Sequence, residues 1–114
     1  MSIKTERIGS NLVKEISYIL ATEIKDEDIK FVTITDCKVT DDLSFAKVYY
    51  TVLNIDRKKE THDALKGASG YIRHLLHDRV DIRHIPELTF VYDESIEYGK
   101  KIENIIEEIH EEKQ

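Results

Sequence analysis

Tryptophan is absent from the chain, and cysteine and proline each occur only once in its 114 residues. A single cysteine, Cys37, excludes an internal disulfide and fits a reducing compartment. No stretch approaches the ~20 consecutive apolar residues that would span a bilayer. The opening "MSIKTERIGSNLVKE" carries charges throughout and lacks an apolar secretory core. A cytoplasmic protein without a membrane segment is expected. Neither a GxxxxGK[ST] phosphate loop nor a GxGxxG fingerprint occurs, which removes the common nucleotide-binding signatures.

Hydrophobic residues make up 40% and charged residues 35% of the chain, a balance suited to one small, well-solvated domain. The formal charge of −6 argues against a nucleic-acid partner only while it is read as one number. Residues 57–85 hold seven Lys/Arg against four Asp/Glu, together with four of the five histidines. Residues 86–114 hold three against nine, so most of the acidity belongs to the C-terminal end. A local basic field is what attracts a polyanion.

Apolar residues at Ile8, Leu12, Ile16, Ile19 and Leu20 form one helical stripe between Thr5 and about Ile24. Asp26-Glu27-Asp28 then reads as a loop. In "FVTITDCKVT", Val32 and Ile34 share one parity while Cys37 and Val39 share the other, so a strand here needs a bulge or bend near Asp36. In "FAKVYYTVL", Ala46, Val48, Tyr50 and Val52 alternate with Lys47, Tyr49 and Thr51, completing an antiparallel hairpin across "TDDLS". Thr61 is the expected N-cap of the next helix. Pro86 marks an extended entry into a third strand bearing Leu88, Phe90 and Tyr92. Ser95 is the expected cap of a last helix carrying Ile102, Ile105, Ile106 and Ile109. The order is helix, strand, strand, broken helix, strand, helix. It predicts an α+β fold with helices on one face of a three-stranded sheet.

The broken helix is expected because Gly67 and Gly70 lie inside "ALKGASGYIRHLL", where each costs about 1 kcal/mol relative to alanine. Leu65, Ala68, Ile72, Leu75 and Leu76 nevertheless keep helical spacing across both glycines. Taking Lys66 as reference at about 100° per residue, Gly70 falls near +40°, Arg73 near −20° and Ser69 near −60°. Lys66, a bare Ser69-Gly70 patch and Arg73 thus share the face opposite the apolar stripe. A phosphate backbone could approach closely there, and a break would expose a new helix N-terminus favouring anions. Arg79 and Arg83 extend the basic track, with His74, His77 and His84 among them. The plain alternative is a packing kink with a solvated charged face, and pattern alone does not decide between the two.

Other constellations point away from chemistry. The histidines lack a cysteine or carboxylate at metal-ligand spacing, so no metal or other cofactor is expected. Asp41 and Asp42 read as turn formers, and Cys37 as a packed, inert thiol. Tyr50 and Tyr92 share the core phase, whereas Tyr49 faces the other way beside Lys47. A hydrolase built on His74 or Asp42 is disfavoured, and no enzymatic activity is expected.

Taken together, "RIGSNLVKEISYIL", "VTITDCKVTDDLSFAKVYYTVL" and "ALKGASGYIRHLLHDRVDIRHIPELTFVYDESIEYGKKI" resemble the ribosome-binding factor A family of bacterial small-subunit assembly factors. The most specific parts are Asp42-Leu43 with Ala46, the Ala68-Ser69-Gly70 interruption and "IRHIPELTF". The resemblance implies a type II KH-like fold in which Ala68-Ser69-Gly70 is an interhelical kink; Gly67 lies outside that motif. It divides the chain into a KH-like RNA-binding domain, 1–94, and an acidic C-terminal helix or tail, 95–114. It also implies binding to the small (30S) subunit and its 16S rRNA during late maturation, with roles in 5′-end processing and growth in the cold. The residues expected to meet RNA are Lys66, Ser69, Gly70, Arg73, Arg79 and Arg83, with Arg7, Lys14 and Lys47 as second choices. A monomer is expected, and a GTPase that releases the factor suits such a role, although no residue identifies one. The rival reading is a protein–protein adaptor that docks a basic partner through its sheet or its acidic tail.

Overall fold

The computed structural model describes residues 3–95. Helix α1 (Ile3–Thr22) buries Thr5, Gly9, Leu12, Ile16, Ile19 and Leu20, a stripe advancing by three or four residues as the sequence pattern requires. Ile8 lies at its edge, half-buried against the core. An Asx turn follows, in which Asp26 accepts the N–H of Asp28 at 2.9 Å, and buried Ile29 pins the loop to the core.

Strands β1 (Val32–Val39) and β2 (Phe45–Val52) pair antiparallel. Ile34 faces Tyr50 and Asp36 faces Tyr49, so Thr35 is the extra residue of a bulge, where the change of parity required one. That insertion brings Ile34, Cys37 and Val39 to one buried face. Asp42 organises the hairpin by accepting from the Thr40 hydroxyl (2.8 Å) and the Ser44 N–H (3.0 Å). The Ser44 N–H, followed by the Thr40 hydroxyl, holds its carboxyl below the usual range. Asp42 is therefore a turn former, fully committed to local bonds.

A short 3₁₀ turn (Ile55–Arg57), capped by the Asn54 side chain, leads into α2 (Lys58–Leu76). Thr61 is consequently not the N-cap: it is buried inside the helix, which starts three residues earlier. The expected break is also absent. α2 runs unbroken through Ala68-Ser69-Gly70, and no glycine among the described residues has a positive φ. Buried Leu65 and Ile72 belong to one apolar stripe spanning both glycines, and packing of that stripe outweighs their low helix propensity. The Ser69 hydroxyl donates back to the Lys66 carbonyl (2.8 Å), a contact of the kind that bends helices without opening them.

Strand β3 (Glu87–Tyr92) joins β2 in parallel, giving the order β1-β2-β3. A parallel neighbour demands a crossover, and α2 is that crossover. α1 packs on β1 and α2 on β3, so both helices lie on the face that carries Ala46, Val48, Tyr50, Leu88 and Phe90. This is the expected α+β architecture. The expected C-terminal helix beyond Ser95 lies outside the described residues.

Among the described glycines, Gly9 is the one that packing requires. A Cβ built there would press into the backbone carbonyl oxygen of Cys37, whereas one on Gly67 or Gly70 would meet open space. Gly9→Ala should therefore destabilise the protein by about 1–3 kcal/mol through overpacking. Gly67→Ala should instead stabilise it by about 0.5–1 kcal/mol. Urea unfolding of the two variants beside wild type tests this opposition in sign. Burial, and then the Asp36 charge, push the Cys37 thiol up to about 12. It should resist alkylation at pH 8 in the folded protein and react promptly once urea unfolds it.

Candidate nucleic-acid interface

Residues 57–85 carry seven Lys/Arg, and the fold uses four of them internally. Arg57 pairs with Asp28 at 2.6 Å. Lys58 places its ammonium 3.9 Å from the centre of the Tyr92 ring. Arg73 donates through Nε (3.1 Å) and Nη2 (2.8 Å) to the carbonyl of Ile85, clamping the 77–86 connection onto α2. Arg79 pairs with Glu15 of α1 at 2.6 Å and lies over the Tyr18 ring at 4.2 Å. The sequence pattern turns Arg73 and Arg79 toward phosphates, but in the fold their guanidiniums tie elements together. Their partners are 12 and 64 residues away in sequence, and nothing local marks them.

Lys59, Lys66 and Arg83 remain, all exposed and without a hydrogen bond or ion pair among the described residues. Lys59 and Lys66 are seven residues apart on α2 and so share a face. Exposed Gly67 and Gly70 lie beside them, and no side chain shields the helix backbone there. Ser69 is half-buried, its hydroxyl already committed to Lys66. On α1, exposed Arg7 and Lys14 share a face by the same seven-residue spacing. Tyr18, under Arg79, lies one turn beyond Lys14, so the α1 cations adjoin the 77–86 connection.

His74, His77 and His84 are exposed, and no group of three His, Cys, Asp or Glu that could hold a metal occurs among the described residues. His62 has a separate role: its Nδ1 lies 3.0 Å from the hydroxyl of buried Tyr50.

With this arrangement in hand, comparison with known proteins is decisive at the level of family. The model of the family described as ribosome-binding factor A matches residues 4–106. The chain belongs to the ribosome-binding factor A family. Ribosome-binding factor A of Staphylococcus epidermidis is 50% identical over 110 residues, covering 96% of this chain and 95% of that protein. The crystal structure of ribosome-binding factor A from Thermus thermophilus shares the fold with a TM-score of 0.68 and 22% identity, over 77% of this chain and 94% of that one. A homology model of the Thermus thermophilus factor, fitted into a cryo-EM map of its complex with 30S, has a TM-score of 0.62 at 20% identity, over 83% and 97% of the two chains. The KH-like architecture expected of the family is consistent with this fold.

The internal use of Arg73 has a measurable consequence. Arg73→Ala should cost about 1–3 kcal/mol in urea unfolding, because the carbonyl of buried Ile85 loses a charged, forked donor. Arg73→Lys should recover only part of that loss, since an ammonium lacks the planar fork.

Proposed function

We propose that this protein is a non-enzymatic assembly factor that binds the small ribosomal subunit through its 16S rRNA during late maturation. On this reading it aids processing of the rRNA 5′ end and growth in the cold. It works in the cytoplasm as a monomer and leaves the subunit with the help of a GTPase. Residues 1–94 form the RNA-binding domain, and 95–114 an attached acidic tail. Family membership supports the reading, as does the 30S complex named for the Thermus thermophilus relative.

The observation that carries the RNA part is the exposed, unpaired set Lys59, Lys66 and Arg83, set against a chain of net charge −6. Cations kept out of internal pairs in an acidic protein are available to phosphates. The bare backbone at Gly67 and Gly70 lets a sugar-phosphate strand approach α2 more closely than any side chain would permit. Such contacts position RNA without specifying sequence, so recognition rests on the shape of the assembled subunit. Within the set expected from sequence, Lys66, Gly70 and Arg83 are the direct contacts. Ser69 acts through its backbone, while Arg73 and Arg79 hold the surface in shape.

Co-sedimentation with small subunits, large subunits and whole ribosomes over a salt series tests this. Wild type should pellet selectively with small subunits and lose affinity as salt rises. Lys66→Glu combined with Arg83→Glu should abolish pelleting while leaving the urea midpoint nearly unchanged, because both side chains are exposed. Absence of selective pelleting at low salt would overturn the proposal in favour of a protein adaptor.

A further inference from the structure

The helices pack on one face of the sheet and leave Lys38, Phe45 and Lys47 exposed on the other; the Asp93 carboxylate, just past β3, accepts from the Thr35 hydroxyl of the bulge at 2.6 Å. Alternation along the central strand β2 turns Phe45, Lys47 and Tyr49 outward onto that face, about 7 Å apart at two-residue intervals. Phe45 is 55% exposed, so its ring is accessible on that face. Lys38 of β1 stands directly opposite Lys47, and both are exposed. Like charges facing each other across a strand pair destabilise a sheet. Neither lysine has a carboxylate partner among the described residues, whose two ion pairs are Arg57–Asp28 and Arg79–Glu15. Lys38 instead rests its ammonium over the Tyr49 ring at 5.7 Å.

We infer that this open face is a second RNA contact, taking a short single-stranded segment with a phosphate between Lys38 and Lys47 and bases on Phe45 and Tyr49. The inference rests on the assembly-factor reading above and extends it from the helical side to the opposite face. A phosphate placed between the two ammonium groups converts their repulsion into two attractions. Stacking of a base on an exposed ring is worth more than an exposed cation–π contact, so Lys38 can leave Tyr49 for the phosphate as a base arrives.

The acidic neighbours limit the segment's length. Asp36 faces Tyr49 across the bulge, its carboxylate accepting the Cys37 N–H at 2.8 Å, and exposed Glu87 pairs with Phe45 at the corner of the sheet. Phosphates are therefore confined to the lysine pair. Base amino groups, which donate hydrogen bonds, suit the positions beside the carboxylates. Cytidine has such a group and uridine does not, so cytidine is the better probe.

The test measures binding of a fluorescently labelled cytidine octamer to the full chain, in parallel with small-subunit pelleting. Lys38→Gln with Lys47→Gln should weaken octamer binding at least tenfold and flatten its salt dependence. The same variant should unfold at slightly higher urea, because the repulsion is gone; a purely structural role for the lysines would not give that pair of results. Phe45→Leu should weaken binding about tenfold, and Phe45→Tyr should restore it, separating stacking from mere apolar contact.

Unchanged octamer affinity in the sheet variants would overturn the inference while leaving selective pelleting by wild type, and so the assembly-factor reading, intact. If wild type binds no octamer yet the sheet variants lose pelleting, the face docks a protein and the inference is likewise overturned. If wild type binds the octamer through the sheet but does not pellet selectively, the RNA face stands and the assembly-factor reading fails.

Discussion

The approach of α1 to β1, where Gly9 meets the carbonyl of Cys37, positions the helical layer over the sheet. Without a Cβ at residue 9 the helix can rest on the strand backbone itself. Leu12, Ile16 and Ile19 then reach full burial further along the same helix. The bulge at Thr35 is the matching feature on the strand side. It returns Cys37 to the buried face and aims its carbonyl surroundings at the helix. Burying each such aliphatic side chain contributes about 1.5–3 kcal/mol, so a helix held farther off would forfeit several of these contributions. The same closeness keeps Cys37 a neutral thiol, since desolvation disfavours its charged form.

The glycines of α2 obey the opposite logic. No described residue occupies the space their absent side chains leave. No backbone dihedral demands them, and the helix passes through both without interruption. Their cost in helix propensity is carried by packing on the other side, where Leu65, Ile72 and Leu76 are fully buried. On the proposed reading, this bare stretch of helix, with Lys59 and Lys66 beside it, is the surface that a phosphate backbone approaches.

Charge follows a similar division. The basic character of residues 57–85 is evident from composition, yet Arg57, Lys58, Arg73 and Arg79 spend their cationic groups on Asp28, Tyr92, Ile85 and Glu15. A guanidinium offers several donors in a rigid fork, which suits it to bridging elements as well as to gripping phosphates, and sequence does not distinguish the two uses. Lys66 and Arg83 stay exposed, whereas the clamp roles of Arg73 and Arg79 depend on distant partners. The alternation of β2 puts Phe45 in phase with Lys47 and Tyr49, away from the buried row. Only the pairing of β2 between β1 and β3 places its outward row, with exposed Phe45 and Lys47, at the centre of the sheet.

The sequence by itself determined the order of elements, the stripe of α1, the need for a bulge near Asp36, the alternation of β2 and the family. Each of these is written in short-range periodicity or in a contiguous motif, where the spacing of side chains fixes which of them can share a face. Only the tertiary structure decided that α2 is continuous, that Thr61 is a core residue and not a cap, that Gly9 is the glycine packing requires, and which cations are free. Those outcomes depend on what stands opposite each residue across the fold. Contacts between Gly9 and Cys37, Glu15 and Arg79, or Lys38 and Lys47 form only when segments far apart in the chain are brought together.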